Sequence, residues 1–215
     1  MAQRASPHAM RLGYNQDWDV YYFARNKREN LELIQKVEII QKHFYSRWKR
    51  NIARLKIELN STLLFLKLYV DDTSIILGEN NQNLEKILQD LYRSIQNDKI
   101  RVDLEIVKVK SPYANAQLVS NMIAEQVEKR LSSRRILKFF VEKVLAEPEV
   151  KGLRINIDGL LDGATMTRKK EMVRAKIPLN TLDIQVEEGK EIAIISRGTI
   201  GVKVLIYKGK ARPGR

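Results

Sequence analysis

Three cations recur at helical pitch in the stretch SRRILKFFVEKVL, residues 133–145. At about 100° per residue, with Arg134 at zero, Lys138 falls near 40° and Arg135 near 100°. Arg130 falls near −40° if the helix continues back that far. On the same wheel Ile136, Leu137, Phe140 and Val144 lie roughly between 200° and 300°, so one face is basic and the opposite face is core. No acid precedes Glu142 in this stretch, so the i,i+4 partners of an ordinary solvated face are missing. A row of Arg and Lys at that pitch matches a phosphate backbone, to which Arg offers forked donors.

A second cluster gathers Arg168, Lys169, Lys170, Arg174 and Lys176 around a single Glu171, beside the small-residue segment DGATMT. As a loop it is either solubilising or a contact for RNA, and its balance of charge favours RNA. A third stretch carries the opposite sign. The loop Gly78, Glu79, Asn80, Asn81 sits where an RNA-binding KH module has its Gly-x-x-Gly clamp. Asn81 tolerates the left-handed backbone that a second glycine would adopt. Asp71, Asp72 and Glu79, however, put negative charge on the rim, where it repels phosphate. The expectation is a KH fold with a degenerate clamp, its rim turned to solvent or to a protein neighbour.

Catalytic chemistry finds little to use. The chain has no Cys and only two His, His8 and His43, so thiolate nucleophiles and His-rich metal sites are excluded, and no metal or cofactor is expected. A phosphate loop of the Gly-x-x-x-x-Gly-Lys kind is absent. Asp158 and Asp162 flank a glycine turn, where acids cap backbone groups far more often than they form a catalytic pair. The chain reads as a protein that is not an enzyme.

The elements that would position these residues follow from periodicity. A helix is expected over residues 26–49, with Leu31, Ile34, Val37 and Ile40 or Gln41 recurring near helical spacing. The strand-like runs RLKIEL and TLLFLKLYV, an apolar strand-like run into the glycine loop, a helix to about Gln96 and the strand IRVDLEIVKV complete the order of a type II KH domain. Ser111-Pro112 marks a boundary. A long helical segment, 114–145, follows, bent or broken near Ser132-Ser133. Then come the strands LRINIDG, DIQVEE, EIAIIS and TIGVKVLIYKG. The fold class is α+β: an N-terminal arm (1–25), a type II KH domain (26–110), and a C-terminal α+β domain (111–215) with helices on an antiparallel sheet.

Net charge is +13 and the pI about 9.8, a balance suited to nucleic acid or another anionic surface. It is uneven: residues 50–110 sum to +1 and residues 111–215 to +8. The longest apolar run, LLFLKLYV, is broken by Lys67, so no membrane partner is expected.

Taken together, AQRASPHAMRLG, EKRLSSRRILK, LDGATMTRKKE followed by IPLNTL, and GTIGVKVLIYKG, in this order and spacing, resemble ribosomal protein three of the small subunit, bacterial or organellar type. The resemblance covers residues 2 to about 210; its C-terminal motifs are specific, and its KH portion matches mostly by pattern. It implies a structural constituent of the small-subunit head that binds rRNA and lines the mRNA entrance channel. Two Arg and a Lys on one helix would there help to open structured mRNA without nucleotide hydrolysis, a motif matched by Arg134, Arg135 and Lys138. It also implies rRNA contacts at Arg4, His8, Arg11, Arg168 and Lys169, although His8 beside Pro7 reads equally as a helix-entrance residue. Neighbouring head proteins would be partners, and the chain would not form a homo-oligomer.

Loss of the cationic clamp points to a mitochondrial small subunit in the matrix, with plastid or bacterial cytoplasm as the alternatives. A family-like start at residue 2 would make such a mitochondrial protein organelle-encoded. Two other classes remain: a free-standing KH-type RNA-binding or assembly factor, and a DNA-repair lyase acting through a lysine.

Overall fold

The computed structural model describes residues 5–60, 63–78, 82–95 and 101–210. The chain divides into two compact units. Trp18–Lys110 forms one, and the other combines the chain up to Asp17 with everything from Ser111 onward. The second boundary falls at the Ser111-Pro112 step, but the expected arm over 1–25 is not a separate body. Its first part belongs with the C-terminal unit and its last part with the inserted one.

The inserted unit runs β1 (Val20–Tyr22), α1 (Lys27–Trp48), β2 (Ile52–Leu59), β3 (Leu63–Val70), α2 (Thr73–Leu77), α3 (Gln82–Ile95) and β4 (Arg101–Lys108). Its sheet has the order β1-β2-β3-β4, with β2 and β3 antiparallel and the two outer pairs parallel. Strand, strand, short helix, glycine turn, helix, strand adds α2 to the order expected from the sequence. β3 alternates strictly, burying Leu64, Leu66, Leu68 and Val70, the period-2 signature of a sheet covered on one face.

Helix α1 buries Leu33, Val37, Ile40 and Phe44, whereas Leu31 and Ile34 are exposed. The stripe through Leu31 and Ile34 runs on into Glu38 and Lys42, while the one through Leu33 stays apolar along the helix, so the longer stripe takes the core. The strand-like SIIL is also corrected. It is the helix α2, because Asp72 caps it by accepting a hydrogen bond from the Ser74 amide at 3.3 Å. Gly78 closes α2 with φ of 71°, a backbone that favours glycine.

The C-terminal unit contains α4 (Ala116–Glu128), α5 (Ser133–Leu145), β5 (Gly152–Gly159), β6 (Arg168–Arg174), β7 (Ile184–Ile195) and β8 (Gly198–Lys210). Its antiparallel sheet has the order β6-β5-β8-β7. α4 and α5 pack on one face, joining Val119, Ile123, Ile136, Phe140 and Val144 to Ile155, Ile157, Val202 and Val204 in one core.

Two runs expected as separate strands fuse into β7 through Gly189 and Lys190. Gly189 is where α4 crosses: a Cβ there would lie 2.0 Å from the Ala116 carbonyl oxygen. The glycine therefore permits a close approach within a continuous strand rather than a turn. The break between α4 and α5 is realised, with Arg130 at φ of 60° beyond the Lys129 cap.

Candidate nucleic-acid interface

Helix α5 presents Arg134, Arg135 and Lys138 to solvent and buries Ile136, Leu137, Phe140, Val141 and Val144. Val141 extends the buried arc beyond the residues that the wheel picked out. None of the three cations makes an ion pair or side-chain hydrogen bond among the described residues. Arg130 is not on this face, since its left-handed backbone ends the α4 segment and its guanidinium lies 3.5 Å from the Ser196 hydroxyl. The helix that would have placed it at −40° ends at Glu128, and four residues separate it from the start of α5.

The second basic cluster is not a loop. Residues 168–174 are β6, an edge strand that among the described residues pairs only with β5, which explains how so charged a run tolerates strand geometry: water reaches its free edge. Lys170, Met172 and Arg174 stand opposite Ile157, Ile155 and Leu153, on the face that the helices cover. A groove of ≈ 720 Å³ therefore forms between α5 and β6. It is lined by Arg134 and Lys138 from the helix and by Lys169, Lys170 and Arg174 from the strand, over an apolar floor that includes Leu137, Val141 and Met172. Two clusters some 30 residues apart in sequence share one surface. Glu142 and Glu171 also line it, but Glu171 is held by Arg154 at 2.5 Å and approaches Lys169 at 3.6 Å.

One polar knot sets the start of α5. Asp162 accepts from the Ser133 amide at 2.9 Å and from the Ser133 hydroxyl at 2.6 Å, and it pairs with Lys170, whose Nζ also donates to the Ser133 hydroxyl at 2.5 Å. The first turn of α5 contains no acid of its own. Asp162 thus supplies from another element the anion that a helix N-terminus favours, close to Arg134 and Arg135. Burial pushes the Asp162 carboxyl up, but the bonds from Lys170 and Ser133 outweigh it and hold the group at about 2. The expectation that Asp162 caps backbone is met, on a helix far from its own turn. Lys170 is correspondingly committed to this knot, which corrects its assignment as a free RNA contact.

The N-terminal residues fare differently. Arg4 lies outside the described residues. His8 is half-buried at the start of a single 3-10 turn, Ala9–Arg11. Arg11 is fully buried. Its guanidinium donates to the carbonyls of Pro7, Leu179, Thr181 and Ile184 at 2.7–3.0 Å. A cation sealed behind four carbonyls cannot reach rRNA, so the assignment of Arg11 is corrected to an internal clamp. Burial also pushes its pKa down from the ordinary range.

In the inserted unit Gly78 is described, while Glu79, Asn80 and Asn81 lie outside the described residues. Asp72 is partly occupied by its cap and by Lys108 at 3.7 Å, so less of its charge faces outward than the sequence implied. No group of three or more potential metal ligands occurs among the described residues, and none of the helices described is long and apolar enough to cross a membrane.

The matched sequence runs through this surface. A family model for "Ribosomal protein S3, C-terminal domain" matches residues 123–206, from α4 into β8. The chain is 33% identical to the small ribosomal subunit protein uS3 of Clostridium botulinum (strain Okra / Type B1), across 100% of this chain and 95% of the relative. This chain belongs to the uS3 family. The uS3 proteins of Clostridium tetani and Clostridium novyi are 31% and 30% identical, over 100% and 99% of this chain and 96% and 95% of theirs. These relatives are bacterial and give the mitochondrial expectation no support. For this uS3-family chain the sequence could not reveal the Asp162–Ser133–Lys170 knot, because only the folded sheet brings Asp162 to α5.

Proposed function

We propose that the chain is a structural, non-catalytic constituent of the small ribosomal subunit. In this reading it binds small-subunit rRNA in the head and turns α5 toward incoming mRNA. The observation that carries the proposal is the unpaired basic face of α5: three exposed cations on one helix, next to a groove whose opposite wall adds Lys169 and Arg174. Free cations release counterions when they meet phosphate, which is the main source of affinity for a nucleic-acid backbone. Arg134, Arg135 and Lys138 would hold the phosphates of one strand while translocation draws the message inward, so that duplex ahead of them opens without hydrolysis by this chain. Arg168, exposed at the start of β6, and Lys169 contact rRNA, and neighbouring head proteins complete the surroundings.

The compartment follows from the ribosome that the chain joins. Bacterial cytoplasm agrees with the organisms of the relatives, and the mitochondrial matrix rests on the acidic composition of the Gly78 loop alone. Lysate sedimented through a gradient at moderate and then high salt tests the core of the reading. Co-migration with the small subunit at both salts is expected. Migration at the top of the gradient would overturn it and bring back a free-standing RNA-binding factor.

A further inference from the structure

Beside its basic face, α5 carries a group that the electrostatic role leaves unused. Phe139 is 49% exposed, an apolar ring presented to water among cations. On the helix it follows Arg135 by four residues and precedes Lys143 by four, so all three share one side. Lys143 Nζ lies 5.9 Å from the ring centroid. Phe140 braces the ring edge-on from the core, centroids 5.4 Å apart at 89°. Next to Phe139 opens a slot of ≈ 250 Å³ lined by Gln126, Leu131, Arg135, Ile136, Phe139 and Phe140. Its walls are almost wholly apolar, with one guanidinium and one amide.

We propose that this slot is a subsite for an unpaired nucleobase of single-stranded RNA, stacked against Phe139 while Arg135 holds the adjoining phosphate. The inference deepens the proposed role of α5 and rests on it. Charge decides the occupant. A flat apolar surface flanked by Arg135 and Lys143 complements a ligand that alternates flat rings with anions, and single-stranded nucleic acid is such a ligand. Gln126 places amide donors and an acceptor where the edge of a base would lie, and the amide of Gln can serve any base, so the site discriminates by strandedness more than by sequence. A paired base offers no free face to Phe139. The subsite thus favours the strand just released over the duplex ahead, and trapping that strand opposes re-pairing.

The test uses the full chain with Phe139→Leu, which keeps the site apolar but removes the stacking plane, and Phe139→Trp, which keeps a plane. Binding is read by anisotropy on a single-stranded oligonucleotide and on a blunt duplex of equal charge, with 2-aminopurine fluorescence in the single strand reporting stacking. The expected result is a loss of roughly fivefold or more for Phe139→Leu on the single strand only, retained quenching with Phe139→Trp, and no change on the duplex. Equal binding of wild type and Phe139→Leu to the single strand would overturn the subsite. So would an altered sedimentation of Phe139→Leu subunits with unchanged RNA binding, since the slot would then seat a protein neighbour. Arg134→Glu/Lys138→Glu serves as the control that separates the two levels. If that pair weakens RNA binding while Phe139→Leu does not, the subsite fails alone; if neither does, the basic-face reading fails.

Discussion

The two units differ in what surrounds the cations on their helices. In the inserted unit α3 begins with Glu85 in its first turn, and Asp90 from the same helix binds Arg47 of α1 at 2.8 Å. Lys67 is likewise held by Glu105 at 2.9 Å. Several cations there have anionic partners close by, and residues 50–110 sum to only +1. In the C-terminal unit Arg134, Arg135 and Lys138 are exposed without partners among the described residues; of the acids near them Asp162 and Glu171 are engaged by Lys170 and Arg154, and Glu142 also lines the groove. Affinity for a polyanion depends on cations that an incoming phosphate can neutralise, so total basic content predicts less than how many cations are left free.

The strongest challenge to this contrast is to remove the platform beneath the free cations. Gly189→Ala forces a Cβ to within 2.0 Å of the Ala116 carbonyl. The three nearest atoms, the Ala116 carbonyl oxygen and carbon and the Gln117 nitrogen, are all backbone, so a cost of about 3 kcal/mol is expected, the upper range for overpacking. Thermal melting should show loss of the C-terminal unit, and RNA binding should go with it; binding that survives would move the interface to the inserted unit. A direct comparison comes next. Arg134→Glu/Lys138→Glu should lower affinity for single-stranded RNA by roughly tenfold or more near 0.1 M salt and flatten its salt dependence. Lys86→Glu/Arg93→Glu on α3 makes the same change in net charge and should have a far smaller effect, and equal losses would mean that total charge alone governs binding.

A smaller effect concerns what holds α5 in place. Asp162→Asn should cost about 1 kcal/mol, typical of a lost helix cap, measured by chemical denaturation. The pH dependence has a definite sign. A carboxyl lowered to about 2 in the folded chain stabilises fully above its unfolded value of about 3.9 and loses that stabilisation as pH falls toward 2. Because the side chain is more than a third exposed, solvent screens much of this. Wild type and Asp162→Asn should therefore converge modestly between about pH 4 and pH 2. The mildest test adds charge to the other unit: Glu79→Lys/Asn81→Gly should raise RNA affinity by roughly twofold to fivefold if the Gly78 loop lies near RNA, while no change means that its rim faces elsewhere.

Much of this was legible in the residues because the signals were local. The buried face of α5 follows from 3.6-residue periodicity, the β3 core from alternation, and the break before α5 from its Ser pair. What escaped was set by distant partners. Nothing near Arg11 in sequence announces that the carbonyls of residues 179, 181 and 184 surround it. The charged run 168–174 reads as a loop until β5 is known to pair with it, and its edge position is what makes a strand of so many cations tolerable. For α1, two apolar stripes competed, and only following each along the whole helix separates the one that ends at Glu38 from the one that reaches Phe44.

The division of the chain has a consequence in time. Arg11, Asn15 and Gln16 bond to backbone carbonyls of β7 or of the segment leading into it, partners 167 to 173 residues away. These residues leave the translating ribosome well before the groups they bond to are made. The inserted unit, Trp18–Lys110, has its own sheet complete once residue 108 has emerged, whereas residues 11–16 must wait for β7. Until β7 arrives, the Arg11 guanidinium is a free, water-exposed cation, and its burial closes the unit that carries the basic helix. Along this unit the order of manufacture is thus the reverse of the order of completion.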